Sequence, residues 1–257
     1  MATVASLGLT TPANAAATSK VYVVHGIPAT PVDVWVNGAK TLSNFQPKDV
    51  AGPLELPEGS YDLALTAPGQ PLASAILTVN DATVPGGQNI SLVAHLKTDG
   101  QPTITPFVND TSTVAAGKAR LIVRHTANAP AVDVRAGSTP VFQNLTNPNE
   151  AKGDVNAGTV SADVVAAGTS TVVLGPTDLN LAEGTATIVY AIGSLDAKTL
   201  DVVAQVLTGL HSPPDSVPSG TGGLADTGSS WWLVALAAAA LLVAGGVTRL
   251  VMVKARR

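Results

Sequence analysis

VYVVHGIPATPVDV, residues 21–34, returns one hundred positions later as LIVRHTANAPAVDV, residues 121–134. His25 falls on His125, and Val32-Asp33-Val34 on Val132-Asp133-Val134. The correspondence runs on through Leu42 and Phe142, Asn44 and Asn144, Phe45 and Leu145. Further along, Gly59 pairs with Gly158 and Gly87 with Gly184, so the offset shrinks between apolar runs, where loops tolerate deletion. A repeat of this length marks a duplicated domain. One copy is placed at residues 18–112 and the other at 113–209.

Each copy reads as an antiparallel β domain. In the first copy the strand candidates are 20–25, 32–36, 60–65, 75–79, 90–96 and 103–108. In the second they are 119–124, 131–135, 159–165, 171–174, 187–192 and 200–207. Asn37-Gly38, Pro68-Gly69, Pro85-Gly86-Gly87 and Asp99-Gly100 punctuate them as turns. Val32, Val34 and Val36 alternate with Asp33 and Trp35, the period of a half-buried strand. Short strands with regular turns predict two tandem immunoglobulin-like antiparallel β-sandwiches, an all-β protein with no helical period upstream of Trp231. Because each copy carries a full set of strand runs, residues 20–111 are expected to fold alone, with a short connection around Asn109–Lys118.

Composition narrows the class. There is no cysteine, so disulfides, thiolate catalysis and Cys-based zinc sites are excluded. The chain holds 14 Lys+Arg and 18 Asp+Glu; four of the basic residues lie from Arg249 onward, which leaves 10 basic residues upstream and a net charge of −8 there. Phosphate binding needs a basic surface, so nucleic acid is not an expected partner.

His25 and Asp33, and their repeats His125 and Asp133, are titratable residues that recur at fixed spacing. Two ligands per copy make a poor metal site, and Asp33 lies between valines that point to the opposite strand face. Both pairs are therefore expected to hydrogen-bond backbone near the strand ends. No nucleophile elbow or phosphate loop is present, and neither catalysis nor a metal or cofactor is expected. Trp35 and Tyr61 are candidates for a sugar-stacking platform on one sandwich face. Neither recurs in the second copy, which has Arg135 and Val160 there, and core or rim packing is the favoured role for both.

The residues that carry the repeat also carry a resemblance. A strand ending in His, a short Pro-containing loop, then Val-Asp-Val and a Gly turn resemble the bacterial domain of unknown function 4397, over both copies from about Ser19 to Leu207. The resemblance implies secreted, sandwich-like surface domains and no agreed activity.

Residues 210–223 (in part HSPPDSVPSGTGG) are rich in Pro, Ser and Gly and read as a disordered spacer. Leu224-Ala225-Asp226-Thr227-Gly228 follows, then a charge-free apolar run from Trp231 to Thr248, then Arg249, Lys254, Arg256 and Arg257. At ~1.5 Å per residue the run gives a helix of roughly 27 Å, near a bilayer core. The expected transmembrane helix covers residues 231–253, with tryptophans at one interface and the basic, cytoplasmic end at the other. In this order the three features of segment 224–257 resemble the sorting signal of Gram-positive surface proteins. The resemblance implies that a sortase thiolate cleaves Thr227–Gly228 and joins Thr227 to an amine of peptidoglycan. The Ala at position 225 resembles substrates of class E sortases of high-GC bacteria. Residues 1–17 end in a small-x-small pattern with expected signal cleavage between Ala15 and Ala16. They lack a basic start, so a start codon upstream of Met1 is expected. The function expected is a cell-wall-anchored, adhesin-like surface protein without catalysis. The alternatives are a glycan- or ligand-binding module and a single-span protein retained in the membrane. The ligand of the β domains is not legible in the sequence.

Overall fold

A computed structural model describes residues 16–212. The first copy builds β1 (Thr18–His25), β2 (Val32–Val36), β3 (Ala39–Phe45), β4 (Val50–Pro57), β5 (Gly59–Thr66), β6 (Leu77–Val84), β7 (Asn89–Leu96) and β8 (Pro102–Val108). The second builds β9 (Lys118–His125), β10 (Val132–Ala136), β11 (Thr139–Leu145), β12 (Glu150–Asn156), β13 (Gly158–Ala166), β14 (Val172–Leu181), β15 (Ala186–Ile192) and β16 (Asp201–Leu207). The only helical piece among the described residues is a 3-10 turn, Leu72–Ser74.

Both copies share one topology. The first forms sheets ordered β4-β1-β7-β8 and β3-β2-β5-β6; the second forms β12-β9-β15-β16 and β11-β10-β13-β14. Hairpin chemistry sets the β2–β3 register. Asn37 and Gly38 both have positive φ, 48° and 78°, which matches the right-handed strand twist of a two-residue turn.

The sheets are mixed, which corrects the expectation of purely antiparallel sandwiches. β1 runs parallel to β7, Val21 opposite Ile90, and β9 runs parallel to β15, Leu121 opposite Thr187. The parallel pair is possible because the chain makes the long crossover such pairing needs, through β2 to β6. Four strands absent from the sequence expectation, β3, β4, β11 and β12, are sheet edges. β3 and β11 are largely exposed, and β4 and β12 have no fully buried position; β4 also carries Pro53, which an edge strand tolerates.

Within each copy the two sheets face each other over an apolar core. Val23, Val32, Val34 and Leu65 pack in the first, and Leu121, Val123, Val134 and Leu181 in the second. The other faces of the central sheets meet between the copies. Val24, Val93 and Phe107 share one buried cluster with Ile122, Ile188, Tyr190 and Val203. Strands buried on both faces read as continuous apolar runs rather than alternation, and β15 is buried at every position. The approach is close: a Cβ on Gly26 would lie 2.9 Å from Ile192 Cγ2 of the second copy.

This shared cluster argues against the expectation of independently folding copies. The connection is built in as well. Val114 is fully buried, its N–H donates to the Leu210 carbonyl (2.7 Å), and its carbonyl accepts from Ser212 N–H (3.1 Å). Leu210 to Ser212, assigned to the spacer by composition, are thus held by the folded part. The leader 1–15, the remaining spacer, the sorting motif and the apolar run lie outside the described residues. Among the described residues no helix is long and apolar enough to cross a membrane.

Candidate functional site

The recurring His and Asp side chains take separate partners. His25 ends β1 fully buried, where Nε2 donates to the Thr30 carbonyl (2.8 Å) and Nδ1 accepts from Ile27 N–H (3.4 Å). His125 repeats this with Pro130 (2.9 Å) and Ala127 (3.4 Å). A carbonyl only accepts, so Nε2 carries the proton, and Nδ1, which accepts a backbone N–H, carries none; both rings are therefore neutral. Asp33 accepts from Asn44 N–H (2.8 Å), Gly69 N–H (2.9 Å) and Lys40 Nζ (2.5 Å). Asp133 accepts from Asn144 N–H (2.7 Å) and Gly168 N–H (2.9 Å). Each carboxylate thereby ties β2 or β10 to the next strand and to a hairpin loop. Asn44 and Asn144 present their N–H groups from positive φ, 51° and 52°, a conformation Asn tolerates. Among the described residues no group of three or more His, Asp and Glu lies within metal-holding reach.

These bonds give the fold a pH dependence. Burial pushes the His25, His95 and His125 imidazoles down from 6.5, against the Thr30 and Pro130 carbonyls and Asp49; His125 adds to the drop at His95. His95 donates from Nδ1 to the Leu96 carbonyl and accepts at Nε2 from Thr105. A histidine with a lowered folded pKa stabilises fully above its unfolded value, and that stabilisation fades as pH falls. Thermal midpoints are therefore expected to drop as pH falls below 6.5, the unfolded histidine value. The Lys40 hydrogen bond, then the two N–H donors, pull Asp33 down to about 2, so its contribution persists to about pH 4 and is lost below. A thermal midpoint unchanged between pH 7.5 and pH 5 would contradict the histidine part.

At the junction of the copies a chain of polar groups crosses the apolar cluster. Arg124, fully buried on β9, donates from Nε to Glu150 (2.9 Å) and from Nη1 to the Tyr190 hydroxyl (2.9 Å). Tyr190 donates to Gln205 Oε1 (2.7 Å), and Ser91 of the first copy donates to the same oxygen (2.9 Å). Asn109 Nδ2 donates to Ser91 Oγ (3.0 Å). The guanidinium also lies 4.5 Å from the Phe107 ring centre. Burial pushes the Tyr190 phenol up, so it stays a donor. Beside it, Arg120 binds Asp154 through Nε (2.8 Å) and the connecting segment through Asp110 and Ser112. The Asn147 side chain bridges the Leu96 and Ala127 carbonyls, both at 2.7 Å. Sequence reasoning singled out none of Arg120, Arg124, Tyr190 or Gln205. The available signal was Arg120-x-Ile122-x-Arg124, two cations on one face of an otherwise apolar strand.

The two aromatic candidates part company. Tyr61 packs against the sandwich core with Val21 and Leu63 and donates its hydroxyl to the Pro57 carbonyl (2.8 Å). Trp35 is half-buried, and its indole N–H donates to Thr66 Oγ1 (3.1 Å). The Lys40 ammonium lies 5.0 Å from the ring centre. Trp35 also forms one wall of an open cleft of about 410 Å³ with Asn37, Asp62, Leu72, Thr78 and Asn80. In the second copy, Arg135 and Asp163 pair across β10 and β13 where Trp35 and Ala64 pair in the first. Their side chains close on each other through two hydrogen bonds, at 2.8 and 2.5 Å.

With this geometry the described residues form an all-β, sandwich-like fold. The family model described as Domain of unknown function (DUF4397) matches residues 19–135, so this region carries such a domain. The match takes in the first copy from Ser19 onward and continues through β9 into β10. No curated protein matches the chain.

Proposed function

We propose that the chain is an exported, cell-wall-anchored surface protein that displays two sandwiches of the immunoglobulin-like kind in a structural or adhesin-like role, without catalysis. One observation carries the reading: Leu224-Ala225-Asp226-Thr227-Gly228 stands directly before a charge-free apolar run and a basic end. The apolar run would hold the precursor in the membrane beside a sortase, and the basic end would resist translocation. Residues 213–223 supply a spacer that lets the motif reach the enzyme. The sortase thiolate attacks the Thr227 carbonyl, and the Thr227–Gly228 amide breaks with Gly228 leaving as the amine. An amine of the wall peptide then takes the acyl group and frees the thiolate. The residues after β10 are read as the rest of a diverged second copy of the same domain, since both halves share one strand order.

A class E sortase and peptidoglycan are the partners this reading names. Its test is Thr227→Ala in the native host. The variant is expected to move from the wall fraction to the membrane fraction with Arg257 retained. Wild type and variant fractionating alike in the membrane would leave a plain single-span anchor instead.

A further inference from the structure

We infer that the cleft beside Trp35 is a binding site for a neutral glycan, a site the first copy has and the second lacks. This deepens the surface-display reading by naming what the displayed module holds, and rests on it only for where the glycan is met.

Lys40, Trp35, Ala64 and Thr78 are successive cross-strand partners on β3, β2, β5 and β6, so they form one row on the outer face of the sheet. Ala64 in that row leaves room beside the indole, and the cleft opens there, walled by Trp35 and floored in part by Ala64. The indole is fixed in place: its N–H is tied to Thr66, and Lys40, which is not part of the cleft wall, lies against the ring. A fixed aromatic face presents a flat apolar surface to the C–H face of a pyranose at low entropic cost.

The rest of the rim supplies hydroxyl partners. Asn37, Asp62, Thr78 and Asn80 are exposed at the cleft and offer amide, carboxylate and hydroxyl groups. The Asn37 and Asp62 side-chain oxygens Oδ1 each accept one backbone N–H, at 2.8 and 3.1 Å, which holds these two side chains at the rim. The cleft wall contains no cation, so an anionic ligand finds no partner there, and Asp62 opposes it. An apolar ligand is disfavoured by the same polar rim. A polyhydroxylated neutral ring meets both halves of the site.

The second copy serves as an internal control. Arg135 and Asp163 fill the same cross-strand place and satisfy each other, leaving no aromatic face there.

The test uses the full chain in a detergent without a sugar headgroup, with Trp231→Phe and Trp232→Phe so that Trp35 is its only tryptophan. The probes are tetrasaccharides of β-1,4-linked N-acetylglucosamine, α-1,4-linked glucose and α-1,6-linked mannose. At least one is expected to shift Trp35 emission saturably below roughly 10 mM. Calorimetry on Trp35→Ala should show affinity reduced at least about tenfold, the loss of one stacking contact. Should Trp35→Ala fail to fold, Asn80→Ala and Thr78→Ala decide, because both side chains are exposed; each is expected to weaken binding about threefold or more. No emission shift with any tetrasaccharide overturns the inference. So does binding that survives Trp35→Ala, or Asn80→Ala with Thr78→Ala, unchanged. Binding in detergent requires no wall linkage, so failure of the anchoring reading would leave this result standing, and the reverse holds as well.

Discussion

Expressed alone, residues 18–112 are expected to aggregate or to populate a molten state, whereas residues 16–212 should unfold in one cooperative transition. Separating the copies uncovers Val24, Val93 and Phe107 together, with Tyr22 and Val50 packed beside them. Soluble monomers rarely expose a contiguous apolar patch of that kind. The cut also strands polar groups, since Ser91 loses Gln205 and the Leu96 carbonyl loses Asn147. The first copy keeps its own inner core of Val23, Val32, Val34 and Leu65, so collapse should persist while fixed packing is lost. Size-exclusion chromatography and urea unfolding by near- and far-ultraviolet circular dichroism read the difference. A monomeric 18–112 fragment with a sharp transition in both signals would show that the inter-copy cluster is dispensable.

Glu150→Ala is expected to cost about 3 kcal/mol, because it leaves the Arg124 guanidinium buried without its carboxylate. For a body of this size that lowers the thermal midpoint by roughly 6–12 °C. Arg124→Met should cost less, although Arg124 is fully buried and Glu150 is about 29% exposed. Burial alone would rank the two the other way. The reason is asymmetry: Met fills the space beside Phe107 and removes the cation, and Arg124 Nη2 makes no hydrogen bond within the protein to lose. Calorimetric midpoints of the two variants settle the order, and Arg124→Met proving the more damaging would show that the guanidinium's contacts outweigh its desolvation.

The repeat and the β class were legible because they rest on local signals. Val32-Asp33-Val34 alternates as a strand with one face in a core, and Asn37-Gly38 closes a hairpin. The partners of His25 and Asp33 were legible only as backbone near strand ends; that Asp33 reaches Gly69, far along the chain, needed the fold. The edge strands β3 and β12 were missed because β3 is exposed over most of its length and β12 has no fully buried position, so selection for apolar residues is weak there. The inter-copy packing was written in the sequence and misread. Ile188–Ile192 is apolar without alternation and Ile90–Leu96 is broken only by Ser91 and His95, which signals two buried faces, while a lone sandwich needs one. The Trp35 cleft depended on a neighbour, Ala64, whose smallness matters only once β2 and β5 are paired.

Display by covalent attachment to the wall stands or falls on mass spectrometry of protein released from purified cell wall by muramidase. The C-terminal peptide is expected to end at Thr227 and to carry the added mass of a wall peptide. A C-terminal peptide still ending at Arg257, recovered only by detergent from membranes, would contradict covalent display.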